Sequence, residues 1–217
     1  MKQVDKDSVT RERILDTAEG LFAEKGFHAV SVRQITGKAD CNLSAINYHF
    51  GNKENLYLEV FRSRVVPRAQ RIRGAFRKIL EENPPKSPEG LIRAVALSFI
   101  KGPLTDEERR RHVQLISKEM DKPSEAFELV ADQMMRPFIA QFGRLLQGTL
   151  PETLEKERLM LLLFSIFSQV LYFTFAGPVI RRITGRDYDE AFKNSLVDHI
   201  TAFCLNGING AGGEGAK

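Results

Sequence analysis

Asn42, Ser44, Asn47, Tyr48, His49, Asn52 and Lys53 crowd into one short stretch, "CNLSAINYHFGNKENLY", residues 41–57. The stretch holds no nucleophile beside a base and no carboxylate dyad. His49 has no second ligand three or four positions on, and His28, His112 and His199 are scattered, so a metal site is not expected. Small and hydrogen-bonding side chains on one exposed surface suit a different chemistry: contact with base edges and phosphate oxygens.

The elements that must position these groups are helical. Ile14, Leu15, Ala18, Leu21 and Phe22 repeat on one helical face, and Gly26 follows as a stop. Ser31 and Gln34 have capping-box spacing at the head of "SVRQIT", a short helix burying Val32, Ile35 and Ala39. Residues 39–42 make a four-residue turn, with Asp40 where a left-handed backbone is expected. Asn42 caps a second short helix over residues 43–50, closed by Gly51. Its expected inner face is Leu43, Ile46 and Phe50; Ser44, Ala45, Asn47, Tyr48 and His49 are expected outward. Asn52 opens the next helix, whose positive end and Lys53 favour a phosphate. A helix, a short second helix, a turn and a short third helix make a helix-turn-helix unit that can lay its last helix in a major groove.

Helical signals continue through the chain, and the fold class expected is all-α. A long helix is expected over residues 53–82, bent at Pro67. Others follow over about 88–101, 105–120 (opened by a Thr105–Glu108 capping box), 124–147 with a kink or break at Pro137, 152–176 and 188–205. "GINGAGGEGAK" is expected to be a disordered tail. Its GxGxxG pattern at Gly210, Gly212 and Gly215 lacks the strand and helix that would make it a nucleotide site.

Composition sets limits. The 217 residues are 42% hydrophobic and 28% charged with net charge +4, ordinary for a soluble globular chain. Residues 1–60 carry 8 basic and 9 acidic side chains, so electrostatics alone would not suggest DNA. The seven basic residues between Arg62 and Lys78 fit a solvated helix face. Cys41 and Cys204 stand far apart in sequence, which suits a reducing compartment without disulfides. The first residues hold no apolar leader. Residues 159–180 are long enough to cross a bilayer, but Ser165, Ser168, Gln169, Thr174 and Gly177-Pro178 interrupt them. A helix buried among helices or between subunits is expected there, and no membrane.

"TRERILDTAEGLFAEKGFHAVSVRQIT" followed by "CNLSAINYHFGNKENLY" resembles the DNA-binding domain of the TetR/AcrR family over about residues 10–57. Asp40 stands at the usual turn glycine, Asn42 at the usual Ser or Thr cap, and Asn47 at a frequent aromatic. "NLSAINYHFGNKENLY" and "ISKEMDKPSEAF" further resemble the subset with CecR-like C-terminal domains, implying regulation of efflux or drug sensitivity.

The resemblance implies a three-helix helix-turn-helix domain, residues 1–57, and a larger helical ligand-binding and dimerisation domain, residues 58–206, before a tail at 207–217. Its implied function is a cytoplasmic, ligand-responsive regulator: a repressor that binds a palindromic double-stranded DNA operator as a homodimer and is released by a small apolar effector. The expected DNA-binding residues are Ser31, Tyr48, His49 and Lys53 at phosphates, Arg33, Ser44, Ala45 and Asn47 at base edges, and Asn42, which also caps the helix. Phe99, Met120, Phe127 and Phe138 are candidates for an effector pocket. No cofactor and no catalysis are expected. The rival classes are a helical enzyme, for which no catalytic constellation stands out, and a membrane-anchored DNA-binding protein using residues 159–180.

Overall fold

A computed structural model describes residues 2–150 and 153–211, with side chains from Asp7 to Ile208 within those ranges. Among the described residues there is no strand, and the all-α expectation holds. The helices are α1 (Lys2–Lys25), α2 (Val32–Lys38), α3 (Leu43–Phe50), α4 (Lys53–Val60), α5 (Val66–Glu82) and α6 (Pro88–Ile100), then α7 (Asp106–Asp121), α8 (Glu125–Val130), α9 (Arg136–Thr149), α10 (Lys156–Phe175), α11 (Gly177–Thr184) and α12 (Glu190–Ala211).

The starts follow the capping chemistry of the sequence. Both capping boxes form, Ser31 with Gln34 and Thr105 with Glu108. Asn42, Asn52, Ser87 and Ser124 each accept a backbone N–H at the head of α3, α4, α6 and α8. Gly26 and Gly51 close α1 and α3 at φ 82° and 81°, a backbone that a Cβ would strain.

Both interior prolines produce a π-helical turn rather than a break. Phe61–Val65 joins α4 to α5, and Ala131–Met135 joins α8 to α9. The Val66 N–H reaches back five residues to the Phe61 carbonyl. Pro67 and Pro137 each lie two residues beyond such a turn. A proline has no N–H for the carbonyl four residues back and its ring collides with it, and the widened turn relieves both problems while the helix continues.

Two departures from expectation concern the C-terminal part. Gly177-Pro178 begins α11 instead of only ending α10, because a proline in the first turn needs no N–H and has a helical φ. The tail expected to be disordered from residue 207 continues α12 to Ala211; residues 212–217 lie outside the described residues.

Packing divides the chain into two compact units, Met1–Gln70 with Leu104–Met135, and Arg71–Pro103 with Arg136–Lys217. The helices packed with the helix-turn-helix thus extend past residue 57 to include α7 and α8. In the first unit, Ile14, Phe22, Ile35, Ile46, Phe61 and Leu115 are fully buried. Tyr57 meets Phe22 edge-to-face at 5.0 Å and Phe61 at 5.1 Å, contacts worth about 0.5–1.5 kcal/mol each beyond area burial. The second unit centres on an aromatic cluster: Phe138 lies 5.3 Å from Phe76 and 5.4 Å from Phe167, which lies 5.4 Å from Phe142. Gly143 lets α9 approach α10, since a Cβ there would come within 3.1 Å of Leu163.

Candidate nucleic-acid interface

The exposed side of α3 is built from its ends. Asn42 Oδ1 accepts the Ala45 N–H at 2.9 Å, so its side chain is spent on the cap expected of it. Ile46 and Phe50 anchor the helix in the core at 0% and 8% exposure. Leu43, expected to join them, is 55% exposed: it sits in the first turn, at the edge of the narrow inner face, and faces outward. Ser44, Asn47 and Tyr48 are exposed, Tyr48 at 75%, while Ala45 and His49 are half-buried. Tyr48 and His49 rings are 4.9 Å apart and nearly perpendicular, which orients both. Among the described residues, no ion pair holds this outward set to the protein.

Flanking elements add polar groups. Ser31 and Arg33 are exposed at the start of α2, with the Ser31 hydroxyl accepting the Gln34 N–H at 3.2 Å. At the start of α4, Asn52 Oδ1 takes the Asn55 N–H at 2.7 Å and the Asn52 carbonyl takes the Leu56 N–H at 3.1 Å. The N–H groups of Lys53 and Glu54 are left at the positive end of the helix. The Lys53 ammonium rests 4.1 Å over the Phe27 ring, so its stem is fixed and its charge stays at that end.

The turn that sets the angle of α3 has its own support. Asp40 adopts φ 47°, the left-handed conformation its sequence position suggested. Cys41 N–H closes onto the Thr36 carbonyl at 3.1 Å, and Arg13 Nη2 on α1 donates to the Asp40 carbonyl at 2.9 Å. Burial raises the Cys41 thiol above its ordinary value, with Arg13 acting against that and Asp40 adding to it. Arg13 is a residue the motif reading missed, because a side chain bonded to a distant carbonyl leaves no periodic signal.

The remaining contacts brace α1 against α4, α5 and α7. Arg11 pairs with Glu59 at 2.5 Å, and Arg64 with Glu12 at 2.5 Å and Asp16 at 2.8 Å. Buried Glu19 receives Arg68 and, at 3.2 Å, Arg111. The buried Tyr57 hydroxyl is pushed above its usual range by burial and by Glu119.

The four effector-pocket candidates are divided. Phe99 and Phe138 meet edge-to-face at 5.7 Å in the second unit. Met120 and Phe127 belong to the first; Met120 is 56% exposed, a surface position rather than a pocket wall, and Phe127 is half-buried. A cleft of about 880 Å³ in the second unit is lined instead by Leu150, just past α9, and by Leu161, Leu162 and Gln169 of α10 and Phe203 and Ile208 of α12.

Residues 14–60 match the family described as "Bacterial regulatory proteins, tetR family", and residues 88–208 match "HTH-type transcriptional dual regulator CecR, C-terminal domain". The second match alone spans more than half of the chain. The chain belongs to the TetR family of bacterial transcriptional regulators.

This TetR-family protein is 25% identical over 207 residues to the dual regulator CecR of Shigella flexneri, covering 89% of its own chain and 88% of that relative. It is 40% identical over 58 residues to the repressor AcnR of Corynebacterium glutamicum, covering 27% of this chain and 31% of that one. Among solved structures, a TetR-like transcriptional regulator from Rhodococcus sp. RHA1 shares the fold at TM-score 0.65 and 16% identity, over 94% of this chain and 97% of that one. FadR of Bacillus halodurans, described as a fatty acid degradation regulator, does so at 0.61 and 18%, over 90% and 94%. The TetR-family chain is thus a DNA-binding transcriptional regulator, and its relatives and fold are those of regulators rather than enzymes.

Proposed function

We propose that this TetR-family protein is a cytoplasmic, ligand-responsive repressor that binds a palindromic operator as a homodimer and is released by a small apolar effector. The observation that carries the DNA-reading part is the outward face of α3, where Ser44, Asn47 and Tyr48 stand exposed on a helix anchored by Ile46 and Phe50. Ser44, Ala45 and Asn47, with Arg33, read base edges; Ser31, Tyr48, His49 and Lys53 hold phosphates. Phosphate contacts fix register and base contacts supply sequence preference.

The homodimer is supported by α10 and α12. Leu161, Phe164 and Phe203 are 62%, 47% and 56% exposed on one protomer. α10 is long and apolar enough to cross a membrane by length and composition, with only 17% of its apolar window buried. Packing against the same helices of a second copy would bury that surface, and a two-fold dimer matches two half-sites about one DNA turn, or a multiple of it, apart. The effector reading is supported by the cleft of about 880 Å³ in the second unit, whose wall includes Leu150, Leu162 and Ile208. Repression follows from occupancy of the operator.

The test is selection of duplexes from a random-sequence library by the purified protein, followed by light scattering and a screen of apolar compounds. A symmetric enriched sequence, a dimer, and compounds that both stabilise the protein and release that sequence are the expected results. No enriched sequence would overturn the operator reading; a stable monomer at micromolar concentration would overturn the dimer. Compounds that stabilise without release would overturn the switch.

A further inference from the structure

We infer that Arg13 on α1 is a positioning residue for DNA recognition: its bond to the Asp40 carbonyl holds the turn that sets the orientation of α3. Among the described residues Asp40 alone, glycines apart, has a positive φ, 47°. A side chain in that region crowds the backbone, so an aspartate there resists the conformation that a glycine would accept freely. The helix-turn-helix needs it nonetheless. At this residue the chain leaves α2 and turns toward Asn42, which caps α3.

Two bonds hold the turn. The Cys41 N–H returns to the Thr36 carbonyl at 3.1 Å, within the segment itself. The second comes from outside it: the Arg13 guanidinium donates from Nη2 to the Asp40 carbonyl at 2.9 Å, across 27 residues of sequence. That carbonyl is the only acceptor Arg13 reaches among the described residues, so its bonding is not shared with a carboxylate. The contact is to the backbone, not to the Asp40 carboxyl. An Asp40→Gly substitution therefore keeps the acceptor while removing the crowding, and the two contributions can be separated.

The proposal rests on the DNA-reading role of α3. It predicts coupling between the two positions. Arg13→Met should weaken binding to the library-selected duplex about tenfold, from one lost charge-assisted bond in each protomer. Binding to a random duplex should change less than about twofold, and the slope of affinity against salt should stay the same, since no phosphate contact is lost. Arg13→Lys, which keeps a donor, should recover part of the loss. In the Asp40→Gly background, Arg13→Met should cost less than about threefold, because glycine holds the turn unaided. A DNA-free readout accompanies these: the Cys41 amide should exchange faster in Arg13→Met than in wild type, and less so with Asp40→Gly.

An equal loss in both backgrounds would overturn the inference, and so would a loss with a shallower salt slope on both duplexes, which would make Arg13 a phosphate contact. Unchanged binding and unchanged Cys41 exchange would also overturn it. If wild type selects no duplex, the operator reading fails while the exchange measurement still decides the role of Arg13 in the turn.

Discussion

The Tyr57 hydroxyl of α4 donates to Glu119 Oε1 of α7 at 2.6 Å, with both side chains buried. Glu119 Oε2 accepts the Ser124 N–H at 2.9 Å and the Ser124 hydroxyl at 2.8 Å, and that hydroxyl in turn caps α8 by accepting the Ala126 N–H at 3.2 Å. One buried carboxylate thus ties together α4, α7 and the start of α8, all in the compact unit that carries the helix-turn-helix. A buried carboxylate is tolerated when its lone pairs are filled, and here they are filled from two directions.

Tyr57→Phe removes one of those donors without opening a cavity. A hydrogen bond to a charged group is worth about 1.5–3 kcal/mol, so urea denaturation should show a stability loss of about that size with an unchanged slope. A loss below about 0.5 kcal/mol would show that water replaces the hydroxyl at Glu119.

Glu19 is 1% exposed and serves Arg68, itself 9% exposed at the side chain, together with Arg111. Glu19→Gln removes the nearest counter-charge of buried Arg68 and leaves it only Glu108 at 3.8 Å, so the thermal midpoint should fall, with a stability loss below the about 3–5 kcal/mol of a fully broken buried pair. The exposed pair Arg110–Glu107 is the control: at 53% and 52% side-chain exposure, Arg110→Ala should leave the thermal midpoint nearly unchanged.

Acid sensitivity should trace in part to Glu59. Burial works to raise its carboxyl, but the Ser63 hydroxyl and Arg11 outweigh that and hold it below the usual carboxylate value. A carboxyl depressed in the folded state contributes stability that is complete above its unfolded value and is lost as pH falls through the folded one. The stability advantage of wild type over Glu59→Gln should be largest near neutral pH and shrink below the usual carboxylate range. Denaturation midpoints of both proteins across that range check it; a gap that does not change with pH would assign the contact no ionic character.

Asn47 and Lys53 should fail in different ways. Asn47→Ala removes an exposed amide from the middle of α3 and should cost about 1–3 kcal/mol per half-site on the selected operator, with little change on random duplex. Lys53→Ala removes a charge from the start of α4 and should weaken binding to all sequences, lowering the salt slope by about one per half-site. Titrations at several salt concentrations separate the two; an equal loss on operator and random duplex for Asn47→Ala would place it at a phosphate.

Leu161 lines the α10–α12 cleft and is 62% exposed on one protomer. Leu161→Glu would place a charge in the proposed subunit contact and should convert the dimer to monomer in light scattering, with loss of operator binding. Since the side chain is outside the protomer core, the folded protomer should keep its helical circular dichroism. A dimer that survives the substitution would move the contact away from this face.

Local signals in the sequence already determined much of the site. Ser31, Asn42, Asn52 and Thr105 announce helix starts, Gly26 and Gly51 announce ends, and Asp40 marks the left-handed turn, because each effect acts within a few residues. The outward placement of Ser44, Asn47 and Tyr48 followed from the helical period. The tertiary structure decided what depends on distant partners. It placed Leu43 outside, since a first-turn residue is buried only if another helix reaches it. It grouped α7 and α8 with the helix-turn-helix and divided Phe99 and Phe138 from Met120 and Phe127. Only the folded chain brought Arg13 to Asp40 and Tyr57 to Glu119, pairs 27 and 62 residues apart. Such contacts follow no period, so no window of the sequence contains them.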